Sequence, residues 1–205
     1  MTKFVSKAME DRSIVAFLEI LKLNDEDAYR HSLDVANLVA LCLEKMSEIY
    51  SEEDCVEITK GALIHDIGKA FLPFGIQHAS FKLDTYTKEI MNTHPLLGYI
   101  AIKDANMSDI VKNIVLLHHE TADKQGYPVN LETQRPYEIE EIPEYVWIVA
   151  YADKFNAMTK NRKFQVSKSY SEAWDELNNM RISGILPYKY AGYFHNVIQE
   201  LDLFG

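Results

Sequence analysis

Gly61-Ala62-Leu63-Ile64-His65-Asp66-Ile67-Gly68-Lys69 holds the residues that decide how this chain folds and what it carries. Ala62, Leu63 and Ile64 form an apolar lead-in that fits the end of a buried helix. His65 and Asp66 then offer an imidazole nitrogen and a carboxylate from adjacent positions, a donor pair that suits a divalent metal. Gly68 is expected to stop the helix in the left-handed C-terminal conformation, which glycine enters without steric cost. Lys69 follows as a cation carried by the loop, placed to meet a bound phosphate. For a lone His-Asp pair, a buried histidine bonded to its neighbour is the commoner reading. The weight of this pair comes from what surrounds it.

Toward the N-terminus, Ser51 and Asp54 resemble a capping box that opens the helix ending at His65-Asp66. Asn24 or Asp25 caps a preceding helix, expected to run to about Tyr50. Its apolar stripe is Ala28, Val35, Leu38, Val39, Cys42 and Met46, and His31 lies within it, one turn after Asp27. Ile14, Val15, Leu18 and Leu21 predict a short helix over residues 10–22. The chain divides accordingly into an N-terminal helical segment, 1–23, and one domain, 24–205.

Toward the C-terminus, Pro73 and Gly75 mark residues 70–83 as irregular. Asp84 caps a helix expected to reach Thr93-His94, and Pro95 breaks it and starts the next. Ser108 caps a helix bearing Ile110, Val111, Ile114, Val115 and Leu117, which ends in His118-His119-Glu120. Residues 121–142 are polar, contain Gly126, Pro128 and Pro136, and form the longest loop. A loop of that length in a compact domain is usually functional or disordered. Pro143 starts a helix carrying Asp153, Ser169 caps another, and Pro187 is expected to begin the last. No segment sustains period-two alternation, so the fold is expected to be all-α, a single helical bundle with one long loop.

The 205 residues suffice for one domain with a sizeable core. A net charge of -10 argues against long nucleic acid, whose backbone needs a basic footprint. A small anionic substrate stays compatible if bound metals reverse the local field. No apolar run approaches a membrane span and the N-terminus lacks a signal-peptide core, so a cytoplasmic protein with no membrane partner is expected. Cys42 and Cys55 read as small core residues of a reducing compartment.

Of the seven histidines, His31, His65, His94, His118 and His119 fall at or inside helix ends. Each has an ordinary alternative: a polar-face residue, a helix cap, or a pair favoured by the helix dipole. With Asp66 and Asp153 they make seven candidate ligands, more than one ion takes and suited to two. Two metals roughly 3.5–4 Å apart can activate a hydroxide and clamp an in-line displacement at phosphorus. His78 and His195 lie outside the pattern and are assigned structural or solvent roles.

These residues resemble the motifs of the HD-GYP subgroup of HD-domain metal-dependent phosphohydrolases. The matching stretches are His31-Ser32-x-x-Val35, His65-Asp66-Ile67-Gly68-Lys69 with Pro73, and Thr93-His94-Pro95-x-x-Gly98. They continue in His118-His119-Glu120-x-x-Asp123-x-x-Gly126-Tyr127-Pro128 and Ala152-Asp153-x-x-x-Ala157-x-Thr159-x-x-Arg162. The resemblance implies an all-α HD domain binding iron or manganese and hydrolysing a cyclic dinucleotide, typically cyclic di-GMP. It implies His31, His65, Asp66 and Asp153 around one metal, and Asp66, His94, His118 and His119 around a second. Lys69 and Arg162 would contact substrate phosphate, and Tyr127 would shape the pocket. The chain departs from the family at Lys124, where glycine is usual, at Asn130-Leu131, at Ala79-Ser80-Phe81 and at Phe164. Relatives that bind three ions have glutamate where this chain has Asp27. The shorter aspartate is therefore expected to stay outside a two-metal site and to orient His31. The alternatives are an HD hydrolase of a nucleoside monophosphate or alarmone, and a non-catalytic module binding a cyclic dinucleotide. A protein partner could use the 121–142 loop.

Overall fold

A computed structural model describes residues 1–77, 84–160 and 167–204. Short polar side chains placed just ahead of apolar stretches start most of its helices, because they accept from amides that have no partner in the first turn. Thr2 caps α1 (Lys3–Ala8), Asp11 caps α2 (Arg12–Asn24) and Asp25 caps α3 (Glu26–Glu44). Ser51 and Asp54 form the expected reciprocal box at the start of α4 (Glu52–Ile64). A 3₁₀ turn, Ile67–Phe71, and α5 (Phe74–Gln77) follow. Asp84 caps α6 (Thr85–Met91), Pro95 sits in the first turn of α7 (His94–Ile102), and Ser108 caps α8 (Asp109–Leu117). After the long loop, Pro143 precedes α9 (Glu144–Thr159). Ser169 and Glu172 box α10 (Tyr170–Ile182), and α11 (Ala191–Phe204) ends the chain. The fold is all-α, with no strand among the described residues.

The bundle is arranged around α3, α4, α8 and α9. α4 packs between α3 and α8, and α3 lies along α9. α7 rests on the 3₁₀ turn and on α8, while α1 and α2 close the other side of α3 and α4. Residues 1–23 therefore hold two helices, and Phe4, Val5, Ala8, Ile14, Leu18 and Leu21 belong to the shared core. α9 is buried over most of its surface, from Val146 through Ala152 to Met158. A helix apolar all round belongs inside, so its two buried polar residues, Asp153 and Asn156, stand out. Cys42 and Cys55 are buried free thiols, as expected. No described helix is long and apolar enough to cross a membrane.

Several expected boundaries move. α3 stops at Glu44, not near Tyr50. Met46 is buried all the same, because a tight turn in which Met46 N donates to Leu43 O follows the helix end and keeps it in the core. His94 opens α7 and does not close α6, which ends at Met91. Pro187 starts no helix; its carbonyl accepts from the Tyr151 hydroxyl, and α11 begins at Ala191. Gly68 is not left-handed, since Gly184 is the only described glycine at positive φ. It lies within the 3₁₀ turn, where a β-carbon would meet the His94 carbonyl oxygen at 1.8 Å and the Gly98 nitrogen at 2.6 Å. Glycine is required there by close approach of two backbones, not by backbone handedness.

Candidate metal centre

α4 ends one residue before the site. His65 is its C-cap, and Asp66 leads into the 3₁₀ turn. His118 likewise caps α8, with His119 next, and His94 is the first residue of α7. His31 and Asp153 come from within α3 and α9. These seven side chains converge as two groups, His31, His65 and Asp153, and Asp66, His94, His118 and His119.

Asp66 spans the two. Its Oδ2 lies 3.5 Å from His65 Nε2 and 3.8 Å from His31 Nε2. Its Oδ1 faces the other way, 3.2 Å from His94 Nε2 and 3.8 Å from His118 Nε2. Asp153 closes the first group at 2.9 Å from His31 Nε2, and its second oxygen lies 3.9 Å from His119.

Ring orientation follows from hydrogen bonds made on the outer nitrogen. His65 Nδ1 donates to the Ala62 carbonyl at 2.8 Å, and His94 Nδ1 to that of Met91 at 2.9 Å. His118 Nδ1 meets the Ile114 and Val115 carbonyls at 3.1 Å. His31 Nδ1 donates to Asn156 Oδ1 at 2.7 Å. With the proton on Nδ1, each Nε2 turns a lone pair inward. The Nε2 atoms of His94 and His118 are 3.2 Å apart. His65 Nε2 and Asp66 Oδ1 are buried with no hydrogen-bond partner. Lone pairs gathered so closely in a buried place call for a cation among them, and an all-nitrogen-and-oxygen donor set fits a first-row divalent ion.

The electrostatics agree. Burial pushes the His65 imidazole down to about 4, and it also lowers His94. Burial, reinforced by neighbouring His118, holds His119 well below its usual range. Burial alone would raise Asp66 and Asp153, but it is outweighed. Lys69 and His65 hold the first well below the carboxylate range, and His31 the second. Neutral imidazoles and ionised carboxylates are the ligand forms.

Lys69 stands 2.5 Å from Asp66 Oδ2. Its side chain, 24% exposed, and that of His119, 20% exposed, mark the open side of a cluster otherwise shut from solvent. Tyr127 flanks this opening with its ring 4.8 Å from that of His119. It is held there because Gly126 lies directly on the Glu120–Thr121 backbone, where a β-carbon would come within 2.5 Å. Lys124 has φ 63°, a conformation glycine adopts freely, and it pairs with Glu138 across the loop at 2.5 Å. Arg162, His78, Phe164 and Ala79-Ser80-Phe81 lie outside the described residues. His195 stacks on Trp174 at 4.4 Å, away from the cluster.

Asp27 is exposed, and His31 takes its orienting bond from Asn156, so the expected link from Asp27 to His31 is replaced. One signal in the sequence could have located Asn156: a polar residue three positions after Asp153, and so on the same face of a largely apolar helix.

Comparison with known proteins bears on the same residues. The HD domain model matches residues 28–158. The chain belongs to the HD-domain family. Its Gly126-Tyr127-Pro128 triplet is that of the HD-GYP subgroup. A cyclic di-GMP phosphodiesterase of Thermotoga maritima is 33% identical over 169 residues, 80% of this chain and 44% of the relative. A 3'3'-cGAMP-specific phosphodiesterase 2 of Vibrio cholerae is 30% identical over 142 residues, 67% of this chain and 25% of the relative. This HD-domain chain thus spans less than half the length of either relative. It shares the fold of the L. monocytogenes phosphodiesterase PgpH HD domain, solved in complex with cyclic-di-AMP. The TM-score is 0.66 at 17% identity, over 92% of this chain and 97% of that one.

Proposed function

We propose that this HD domain is a metal-dependent phosphodiesterase that opens a cyclic dinucleotide, with cyclic di-GMP as the preferred substrate. The observation that carries the reading is the placement of Asp66, whose two oxygens face two different sets of inward-turned donors. His31, His65 and Asp153 with Asp66 Oδ2 would hold one ion, and His94, His118 and His119 with Asp66 Oδ1 the other. Iron or manganese suits this donor set. When bound, two such ions supply Lewis acidity, activating water and neutralising charge on a phosphodiester.

The remaining residues position the substrate. Lys69 is half-buried at the open side, and it binds a phosphate oxygen there while still neighbouring Asp66. Arg162 is assigned a second phosphate contact on the strength of its motif. Tyr127 forms one wall of the entrance beside His119 and meets a base or ribose. The relatives' names support a cyclic dinucleotide, and they differ in the bases.

Metal analysis of anaerobically purified protein should find two first-row divalent ions per chain. Turnover on a panel of cyclic di-GMP, cyclic GMP-AMP, cyclic di-AMP and nucleoside monophosphates should then show cyclic di-GMP hydrolysed fastest. Faster hydrolysis of a monophosphate than of every cyclic dinucleotide would overturn the assignment. Lys69→Ala and Arg162→Ala should keep both ions and lose about 10²–10³ in rate, the scale of one lost transition-state donor.

A further inference from the structure

His31 is held differently from the other inward-turned histidines. His65, His94 and His118 give their Nδ1 protons to main-chain carbonyls three or four residues earlier in the chain. No single side-chain change removes those partners. The His31 ring is instead clamped between two side chains of another helix. Its Nδ1 meets Asn156 Oδ1 at 2.7 Å and its Nε2 meets Asp153 Oδ1 at 2.9 Å. Asp153 and Asn156 are one turn apart on α9, and both are buried there. Asn156 is an amide, so it fixes the tautomer by accepting the Nδ1 proton, yet adds no negative charge that would make the ring a stronger donor.

We infer that Asn156 is the positioning residue for His31, and that it sets the affinity of the metal position formed by His31, His65 and Asp153 without affecting the other position. The inference rests on the two-metal reading above. Without an acceptor at 156 the His31 ring is free to turn about its χ2 and to carry its proton on Nε2, the atom that must face the ion. An outer partner of a ligating histidine is typically worth about 10–100-fold in metal affinity.

The test uses the full chain stripped with chelator and titrated with Mn²⁺ alone by calorimetry. His31→Ala identifies the binding step that belongs to its side of the site by abolishing it. Asn156→Ala should weaken that same step by about 10–100-fold and leave the other unchanged. Asn156→Asp, which keeps an acceptor at the same place, should retain the wild-type affinity or exceed it. Helical circular dichroism in chelator controls for folding. An Asn156→Ala protein with both steps unchanged overturns the inference, and so does an Asn156→Asp protein as impaired as Asn156→Ala. A wild-type chain that takes up no Mn²⁺ instead removes the metal reading itself, and this inference with it.

Discussion

Gly68 has no room for a side chain. An alanine there would drive its β-carbon into the His94 carbonyl and the Gly98 amide, so the 3₁₀ turn would have to leave α7. That turn carries Asp66 into the cluster and α7 carries His94. Gly68→Ala should therefore cost about 3 kcal/mol, the upper range for forced overpacking, and should also weaken metal binding. Urea unfolding in chelator and a Mn²⁺ titration measure the two effects. Asp66→Ala should lose both ions and all activity, and a fully metallated, active variant would exclude the bridging role. Protons act on the same residues. In the unfolded chain His65 titrates near 6.5, whereas burial holds it at about 4 in the fold. Between those values the unfolded state binds the extra proton, so His65 contributes stability to the metal-free protein that is full above pH 6.5 and is lost as pH falls toward 4, while Glu120, raised to about 7 by burial, acts in the opposite sense. Asp66 and Asp153, held well below the carboxylate range, extend the loss at lower pH. The urea midpoint in chelator should fall further between pH 7.5 and pH 5 in wild type than in His65→Ala; an equal fall would show that His65 is not buried in the metal-free fold.

Helices deliver most of the candidate ligands from their ends. His65 and His118 are C-caps, His94 is a first residue, and only His31 and Asp153 lie inside helices. The starts were legible, since Asp25, Ser51, Asp84, Ser108 and Ser169 each cap a helix as a short polar side chain should. Ser51→Ala removes one half of the box that starts α4, and should lower stability by about 1 kcal/mol with metal content unchanged. Thermal melting with and without chelator reads this out. The stops were less legible. A buried residue continues an apolar stripe whether the backbone is helical or turned, which is why Met46 extended α3 on paper past its true end at Glu44.

At the scale of the whole molecule, the cluster joins α3, the junction after α4, α7, α8 and α9. An ion bound only by the assembled fold stabilises it by mass action. Mn²⁺ at 100 times its dissociation constant should add about 2.7 kcal/mol for each ion the wild type binds. Chelator should reverse the gain, and Asp66→Ala should show none. A melting temperature indifferent to Mn²⁺ would mean that the five elements are not joined through metal.

The sequence by itself determined the fold class and marked the seven candidate side chains, because apolar period, capping residues and His-Asp chemistry are local properties; their grouping came only from the family resemblance. Only the tertiary structure decided that Gly68 answers to the His94 carbonyl, that the two oxygens of Asp66 face opposite ways, and that His31 leans on Asn156 and not on Asp27. Each of these is a contact between elements distant in the chain. Such contacts depend on how helices dock, and neither spacing nor propensity along one segment encodes that.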